Sequence, residues 1–396
     1  MYFLKNVKIL YVSSVDLSIG TGPGVNELEF VTALCSLLGD RATALIPTPK
    51  HENDLPKENC VFSWRLARGE MKNFIPHTIS QIRKGKKLIR NGGYDLVVFR
   101  LGSLPLSQYV LAKFATKKKI PYVIKTSGPK LFDAFTNRKG FINRIFDRIH
   151  RKTLGYLIGN AMLCDCVSEI HRSGLAALFP DNQIRIIDNA VNTDRFTMND
   201  RTEARKRMGI DPDCRVVGYA GNFPYSRGGL QMVEAAKALE EQFGNMHFVV
   251  LGAGTGFEEL KNRAKELFVD HLFTFAGVVP FADVSGWVST FDVGVSFLEP
   301  KSAGASEQKI RQYLACGKPV VCSHGSSSFV AEEGIGLVCD YNDIDTIVKN
   351  ISYYLNLPEE EYAAVSEKCR QYAVDRLSVK SSTLTRLTLW SEEYPC

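Results

Sequence analysis

An α/β fold made of two doubly wound, parallel-sheet domains is predicted by three features of this 396-residue chain. Short β-rich runs alternate with longer stretches of helical periodicity. The runs are apolar almost without interruption, as expected of strands covered on both faces. The rhythm occurs twice, once in each half, on either side of a turn-rich segment. Length agrees, since roughly 150 residues per domain gives two or three domains. A composition of 45% hydrophobic and 23% charged residues excludes disordered, collagen-like and low-complexity classes.

The first half offers strands at Val7–Val12, Ala42–Ile46, Leu96–Phe99, Tyr122–Ile124, Met162–Val167 and Ile184–Ile187. The second offers Val216–Tyr219, His247–Leu251, Phe273–Phe275, Val293–Phe297 and Pro319–Cys322. Asp188–Arg201 is rich in Asn, Asp and Thr and makes the best boundary. The tail Glu359–Trp390 reads as helices. The expected division is residues 1–190, 191–370 and a terminal helical piece, 371–396, that packs back on the first domain. Ligands of open parallel sheets bind at the carboxyl ends of the strands. Two such domains facing each other make a cleft, so the turns after strands are where chemistry is expected.

Charge is unevenly placed. Residues 72–152 hold 19 Lys/Arg against Asp95, Asp133 and Asp147, a local charge of +16, while the rest of the chain sums to −10. Such a stretch suits an anionic partner: phospholipid, a phosphorylated substrate or nucleic acid. Within it, Phe141–Gly155 places Ile142, Ile145, Phe146 and Ile149 at helical spacing, with Arg144, Arg148, Arg151 and Lys152 largely off that stripe. A basic amphipathic helix can lie on anionic lipid; for the stripe itself, facing the core is slightly favoured.

The ten cysteines form no CxxC pair and several sit in apolar runs, so structural roles and a reducing, cytoplasmic setting are expected. No HxxxH or HExxH exists and no metal site is suggested. No signal peptide and no run of 18 apolar residues is seen, so any membrane contact is expected to be peripheral, at the inner face.

Three glycine-rich turns follow strands. Gly20-Thr21-Gly22-Pro23-Gly24 precedes a helical run from Val25; glycines there let backbone N–H groups approach an anion at a helix N-terminus. It is neither GxGxxG nor a P-loop, and a plain surface loop is the bland alternative. Gly218–Asn222 with Arg227-Gly228-Gly229 places a cation beside another helix start, and Gly252–Gly256 again misses GxGxxG, which disfavours NAD. Glu299, Glu307, Lys309 and Arg311 cluster between the VGVSF strand and the helical run KIRQYLACGKPVV, a charged strand end.

Together these segments resemble glycosyltransferase family 4, the retaining nucleotide-sugar transferases of the GT-B fold with two Rossmann-like domains, over nearly the whole chain. Asp165-Cys166-Val167-Ser168-Glu169 is similar to its D-x-V-S-E segment, and Asp188–Phe196 to its P-N-G-V-D-x-x-x-F linker. Phe275–Val279 is similar to its F-x-G-x-V segment, and Tyr313–Val321 to its most specific run. The chain departs from the family's pattern in places. Where the family has Gly-Arg and then Lys-Gly, with both cations on the donor diphosphate, this chain has Asn222 and Arg227. Glu299 and Glu307 keep the E-x7-E spacing, but counting back from Ala315-Cys316-Gly317 puts the second glutamate position at Gln312 and the first at Gly304. Lys309 fits a subgroup with Lys three residues before. Ser127 stands where the family often has a His.

The resemblance implies a retaining, metal-independent hexosyltransferase moving sugar from a UDP- or GDP-sugar to a glycan, lipid-linked or other acceptor, in polysaccharide or glycoconjugate synthesis, with no cofactor beyond that donor. It assigns Arg227, Lys309 and Ser127 to catalysis and Gly22, Gly24, Asn222, Gly277, Val278, Glu307 and Gln312 to the donor. Expected partners are the nucleotide-sugar, the acceptor and an anionic membrane surface through residues 72–152; no RNA-recognition signature accompanies the basic stretch, so nucleic acid is not expected. The departures motivate a second reading, a catalytically inactive subunit that binds a nucleotide-sugar or a partner. A sugar-nucleotide epimerase fits the fold without support from the linker motif.

Overall fold

The computed structural model describes residues 6–17, 22–49, 55–66, 73–101, 104–126, 141–221, 229–300, 307–324 and 329–394. The chain forms two compact units: Met1–Asn189 with Val379–Cys396, and Ala190–Ser378. Gln371–Ser378 thus stay with the second unit.

Unit 1 is built on a sheet of seven described strands in the order β3-β2-β1-β4-β5-β6-β7. They are β1 Ile9–Val12, β2 Ala42–Pro47, β3 Cys60–Ser63, β4 Leu96–Arg100, β5 Tyr122–Lys125, β6 Leu163–Cys166 and β7 Ile184–Ile186. Every pairing is parallel; Ile9 lies opposite Ala42 on one side and Leu96 on the other. Both faces are buried, which explains the unbroken apolar runs. Ile9 and Tyr11 face a core shared with Phe30 and Leu34 of helix Gly22–Leu38. Leu10 and Val12 face the other core, filled by Ile89, Leu111, Leu154 and Leu157.

Helix Val379–Glu392 returns to unit 1, where Leu387 and Trp390 are fully buried and Trp390 meets Phe30 edge-on, 6.5 Å between centroids. A turn of π-helix, Ala373–Leu377, precedes it. Arg386 fixes the helix: Nε lies 3.3 Å from Asp165 Oδ2 on β6, and Nη2 donates to the carbonyls of Ile187 and Asp188. Nearby, Glu27 takes Tyr11 Oη–H at 2.6 Å and pairs with Lys125 at 3.2 Å and Arg100 at 3.4 Å. Burial opposes the Glu27 charge, but Lys125 and Arg100 hold its carboxyl below the usual range. Burial pushes Asp165 up against the pull of Arg386, and lowers Lys125 to about 8.

Unit 2 has six described strands in the order β10-β9-β8-β11-β12-β13. They are β8 Arg215–Ala220, β9 Met246–Leu251, β10 Phe273–Gly277, β11 Val293–Ser296, β12 Val320–Ser323 and β13 Gly336–Cys339. All pairings are again parallel.

The eleven strands expected from sequence are present within two residues at each end. Two more, β3 and β13, lie at sheet edges; they are four residues long and only partly buried, and their apolar runs, Cys60–Phe62 and Leu337–Cys339, are too short to stand out. The helix after the first glycine-rich turn begins at Gly22 rather than Val25. Gly22-Pro23-Gly24 form its first turn, where a proline lacks nothing by lacking an N–H. The stripe of helix Phe141–Gly159 does not face the core: Ile145 and Ile149 are exposed, whereas Leu154, Leu157 and Ile158 further along are fully buried. Ile142's side chain lies outside the described residues.

Two outcomes follow for stability. Asp165→Ala leaves the buried Arg386 without its carboxylate and should cost about 3–5 kcal/mol in denaturant unfolding; a loss under about 1 kcal/mol contradicts the role given to this pair. His171 is 2% exposed with neither ring nitrogen bonded, and burial lowers its pKa to about 4. The unfolded chain binds the proton near pH 6.5 and the folded chain near pH 4, so stability should fall as pH drops through that window. His171→Leu should flatten that slope in melts run from pH 7 to pH 4.

Candidate functional site

In unit 2 the chain winds outward both ways from the middle of the sheet: β8 leads to β9 and β10 on one side, β11 to β12 and β13 on the other. β8 and β11 are thus the switch point of the sheet order, and parallel sheets take their ligands at the carboxyl ends of such strands. Lys309 stands there. Helix Gln308–Ala315 begins directly after Glu307 and brings both residues over the sheet. Lys309 Nζ donates to Tyr219 Oη at 2.9 Å, lies 4.1 Å from the centroid of that ring, and pairs with Glu307 Oε1 at 3.1 Å. Glu307 Oε2 accepts from Ser296 Oγ at 2.5 Å. Tyr219 is on β8 and Ser296 ends β11, so this cluster bridges the two strands that part.

Both charges are almost wholly buried. A buried ammonium is tolerable only when paired and hydrogen-bonded, and each partner of this pair has at least one further contact. Arg311, one turn on and fully buried, donates to the Glu307 carbonyl at 2.7 Å and closes the helix start. Gln312, also buried, lies on the same helix. Tyr313 Oη accepts the Ala220 N–H at 2.6 Å and ties the helix to the end of β8.

Glycines end the neighbouring strands. Gly221 follows β8 at φ +148° and Gly252 follows β9 at φ +116°. A Cβ on Gly252 would stand 1.7 Å from the Gly221 carbonyl oxygen. Only glycine allows these two backbones to approach, and the Gly252 N–H then reaches the Gly277 carbonyl at 2.6 Å. Gly277 ends β10 beside a register shift, and Val278 after it is 79% exposed. This edge carries the strand-ending glycines, the buried Lys309–Glu307 pair and the exposed Val278.

Lys309 and Glu307 are thus brought together, with Gln312 on the same helix and Gly277 two strands away. Gly22 and Gly24 belong to the first helix turn of unit 1. Asn222, Arg227 and Ser127 lie outside the described residues. Tyr219 and Ser296 carried no signal in the sequence, because each is one more residue of an apolar strand. Unit 1 has a counterpart at its own parting strands, β1 and β4. Ser14 Oγ there meets Gln81, His77 and Gln108 at 2.8–3.1 Å, a neutral network equally hidden in the sequence. Among the described residues, no group of three or more His, Cys, Asp or Glu is placed to hold a metal ion, and no helix is long and apolar enough to cross a membrane.

Residues 200–373, within unit 2, match the family model of glycosyl transferases group 1. The chain is 26% identical over 197 residues to the lipopolysaccharide core biosynthesis mannosyltransferase LpsB of Rhizobium meliloti, covering 47% of this chain and 55% of that protein. It is 29% identical over 148 residues to a D-inositol 3-phosphate glycosyltransferase of Geodermatophilus obscurus, covering 35% and 32%. These matches span about a third to a half of the relatives' length. Among solved structures, a sucrose-phosphate synthase from Thermosynechococcus elongatus superposes with TM-score 0.72 at 17% identity, covering 97% of this chain and 98% of that one. Anabaena HepE in complex with UDP gives 0.71 at 14%, covering 98% and 100%. At these identities the likeness is one of fold: two parallel-sheet Rossmann-like units, as in GT-B glycosyltransferase structures.

The glycine contact is open to test. Gly252→Ala should destabilise the protein by at least about 3 kcal/mol. Gly39→Ala, at φ +56° with nothing within 4 Å of the new Cβ, should cost only about 1–2 kcal/mol. Equal losses in urea titrations would refute the close approach.

Proposed function

We propose that this protein is a retaining glycosyltransferase that moves a sugar from a UDP- or GDP-sugar to a glycan or lipid-linked acceptor. The observation that carries the reading is the buried Lys309, anchored by Glu307 and Tyr219 where β8 and β11 part. In such a transfer the bond between the sugar's anomeric carbon and the diphosphate breaks, and the leaving nucleoside diphosphate gains negative charge. An ammonium already stripped of water and held in place stabilises that charge without reorganising, and such fixed electrostatics often contribute more to catalysis than any other effect. Glu307 is a positioning residue on this reading: it orients Lys309 and is itself held by Ser296. Arg227 supplies the second cation, Asn222 and Gln312 hydrogen-bond the donor, and the base rests by Gly277 and Val278. The reading needs no metal.

Support comes from the family match over unit 2 and from the glycosyltransferases among the relatives. A fold neighbour captured with UDP-glucose makes a nucleotide-sugar the natural donor class.

Lys309→Ala should lower turnover about 100-fold and, by leaving the buried Glu307 carboxylate without its cation, cost about 3–5 kcal/mol in denaturant unfolding; rates are compared at a temperature where melts show the variant folded. Glu307→Gln should lower turnover by a smaller factor, through misplacement of Lys309. Both are read by sugar transfer from UDP- and GDP-sugars. Near-normal rates in Lys309→Ala and Arg227→Ala overturn the mechanism. Saturable UDP or GDP binding without any sugar release identifies an inactive nucleotide-binding subunit instead.

A further inference from the structure

Four helices cover one face of the unit 1 sheet: Phe74–Asn91, Leu106–Lys117, Phe141–Gly159 and Glu169–Leu178. Each sends an apolar residue into the same core, namely Ile89, Leu111, Leu154 and Leu175. Their outer surface is not an ordinary solvated one. On the first helix Arg83, Lys84, Lys87 and Arg90 are exposed, and on the third Arg144, Arg148, Arg151 and Lys152. The acidic residues of the four helices are Asp147, paired with Arg151, and Glu169, paired with Arg172.

Apolar side chains stand out from the same layer. Ile75, Ile79, Ile145, Ile149 and Ile170 are between 41% and 66% exposed. Each of these lies in the first half of its helix, while Leu178, 58% exposed, ends the fourth. A helix of a parallel α/β unit runs back along its strand, so its first half lies at the carboxyl edge of the sheet. Trp64, 57% exposed, directly follows β3 at that edge, and its backbone N–H donates to Ser80 Oγ of the first helix. The face therefore has isoleucines and a tryptophan along one edge, with Arg144 and Arg148 among them and the other cations behind. Water leaves the isoleucines uncovered, and a phosphate backbone of nucleic acid would cover only the cations. A bilayer takes both: acyl chains and the interface receive Ile and Trp, and anionic headgroups receive Lys and Arg.

We infer that this helical face is a docking surface for an anionic lipid bilayer. Unit 1 rests on the membrane through Ile75, Ile79, Ile145 and Ile149 at the carboxyl edge, with Arg83, Lys87 and Arg148 among the headgroups. The edge at which parallel sheets take their ligands thereby lies at the lipid surface. The inference rests on unit 1 alone, independent of any transfer by unit 2.

The test is co-sedimentation of the full chain with vesicles of phosphatidylcholine alone or with one third phosphatidylglycerol, without nucleotide. Binding is expected only with the anionic lipid and should weaken as salt rises. Arg83→Gln with Lys87→Gln and Arg148→Gln should weaken it about 100-fold, near fivefold per cation. Ile145→Ser with Ile149→Ser should weaken it about tenfold at unchanged charge; circular dichroism melts confirm that both variants fold. Absence of binding to the anionic vesicles overturns the inference. So does indifference to the isoleucine pair, and so does preferential capture of RNA at equal phosphate concentration. Because the assay holds no sugar donor, its failure leaves the donor-site reading standing.

Discussion

The ion pair between Lys309 and Glu307 constrains the rest of unit 2. Neither charge could be buried alone, since desolvation of an isolated ion costs several kcal/mol. Each therefore requires neighbours at fixed positions: the Tyr219 hydroxyl and ring for the ammonium, the Ser296 hydroxyl for the carboxylate. Those neighbours sit on β8 and β11, the two strands that diverge, so the sheet order has to be what it is for the pair to form. The helix carrying the pair is fastened in turn by Arg311 and Tyr313. A cation prepared in this way needs no rearrangement when a diphosphate arrives, which is the property that the proposed chemistry calls for.

Unit 1 solves a similar problem with other groups. Its carboxyl edge buries Glu27 among Tyr11, Lys125 and Arg100, and Asp165 against Arg386. The second of these ties the returning terminal helix to β6 and to the chain at Asp188, where unit 1 ends. At its parting strands, β1 and β4, stand the buried Arg100–Glu27 pair and, beside it, the neutral Ser14–His77–Gln108 cluster. The two units share an architecture and differ in what they offer a ligand.

Much of this was legible in the residues. Strands such as Val216–Tyr219 and His247–Leu251 are buried on both faces, and continuous hydrophobicity reports that directly. Edge strands β3 and β13 escape because half of each is solvated and four residues give no pattern. In the helix from Phe141, periodicity reveals a stripe but not its direction, and the structure turns Ile145 and Ile149 outward where the core was favoured. Lys309 and Glu307 were marked by a cluster of charge after a strand. Tyr219 and Ser296 could not be, because their roles depend on which strands become neighbours, and sheet order is not local information. Glu27 was hidden for the same reason, as one of two carboxylates, with Glu29, in a largely apolar helix.

That Lys309 marks the place where a nucleoside diphosphate binds is tested most directly by a crystal structure of the chain soaked with UDP or GDP. Diphosphate oxygens are expected within hydrogen-bond distance of Lys309 Nζ, with the base beside Gly277 and Val278. Nucleotide bound elsewhere, with no diphosphate oxygen within reach of Lys309 Nζ, would contradict it.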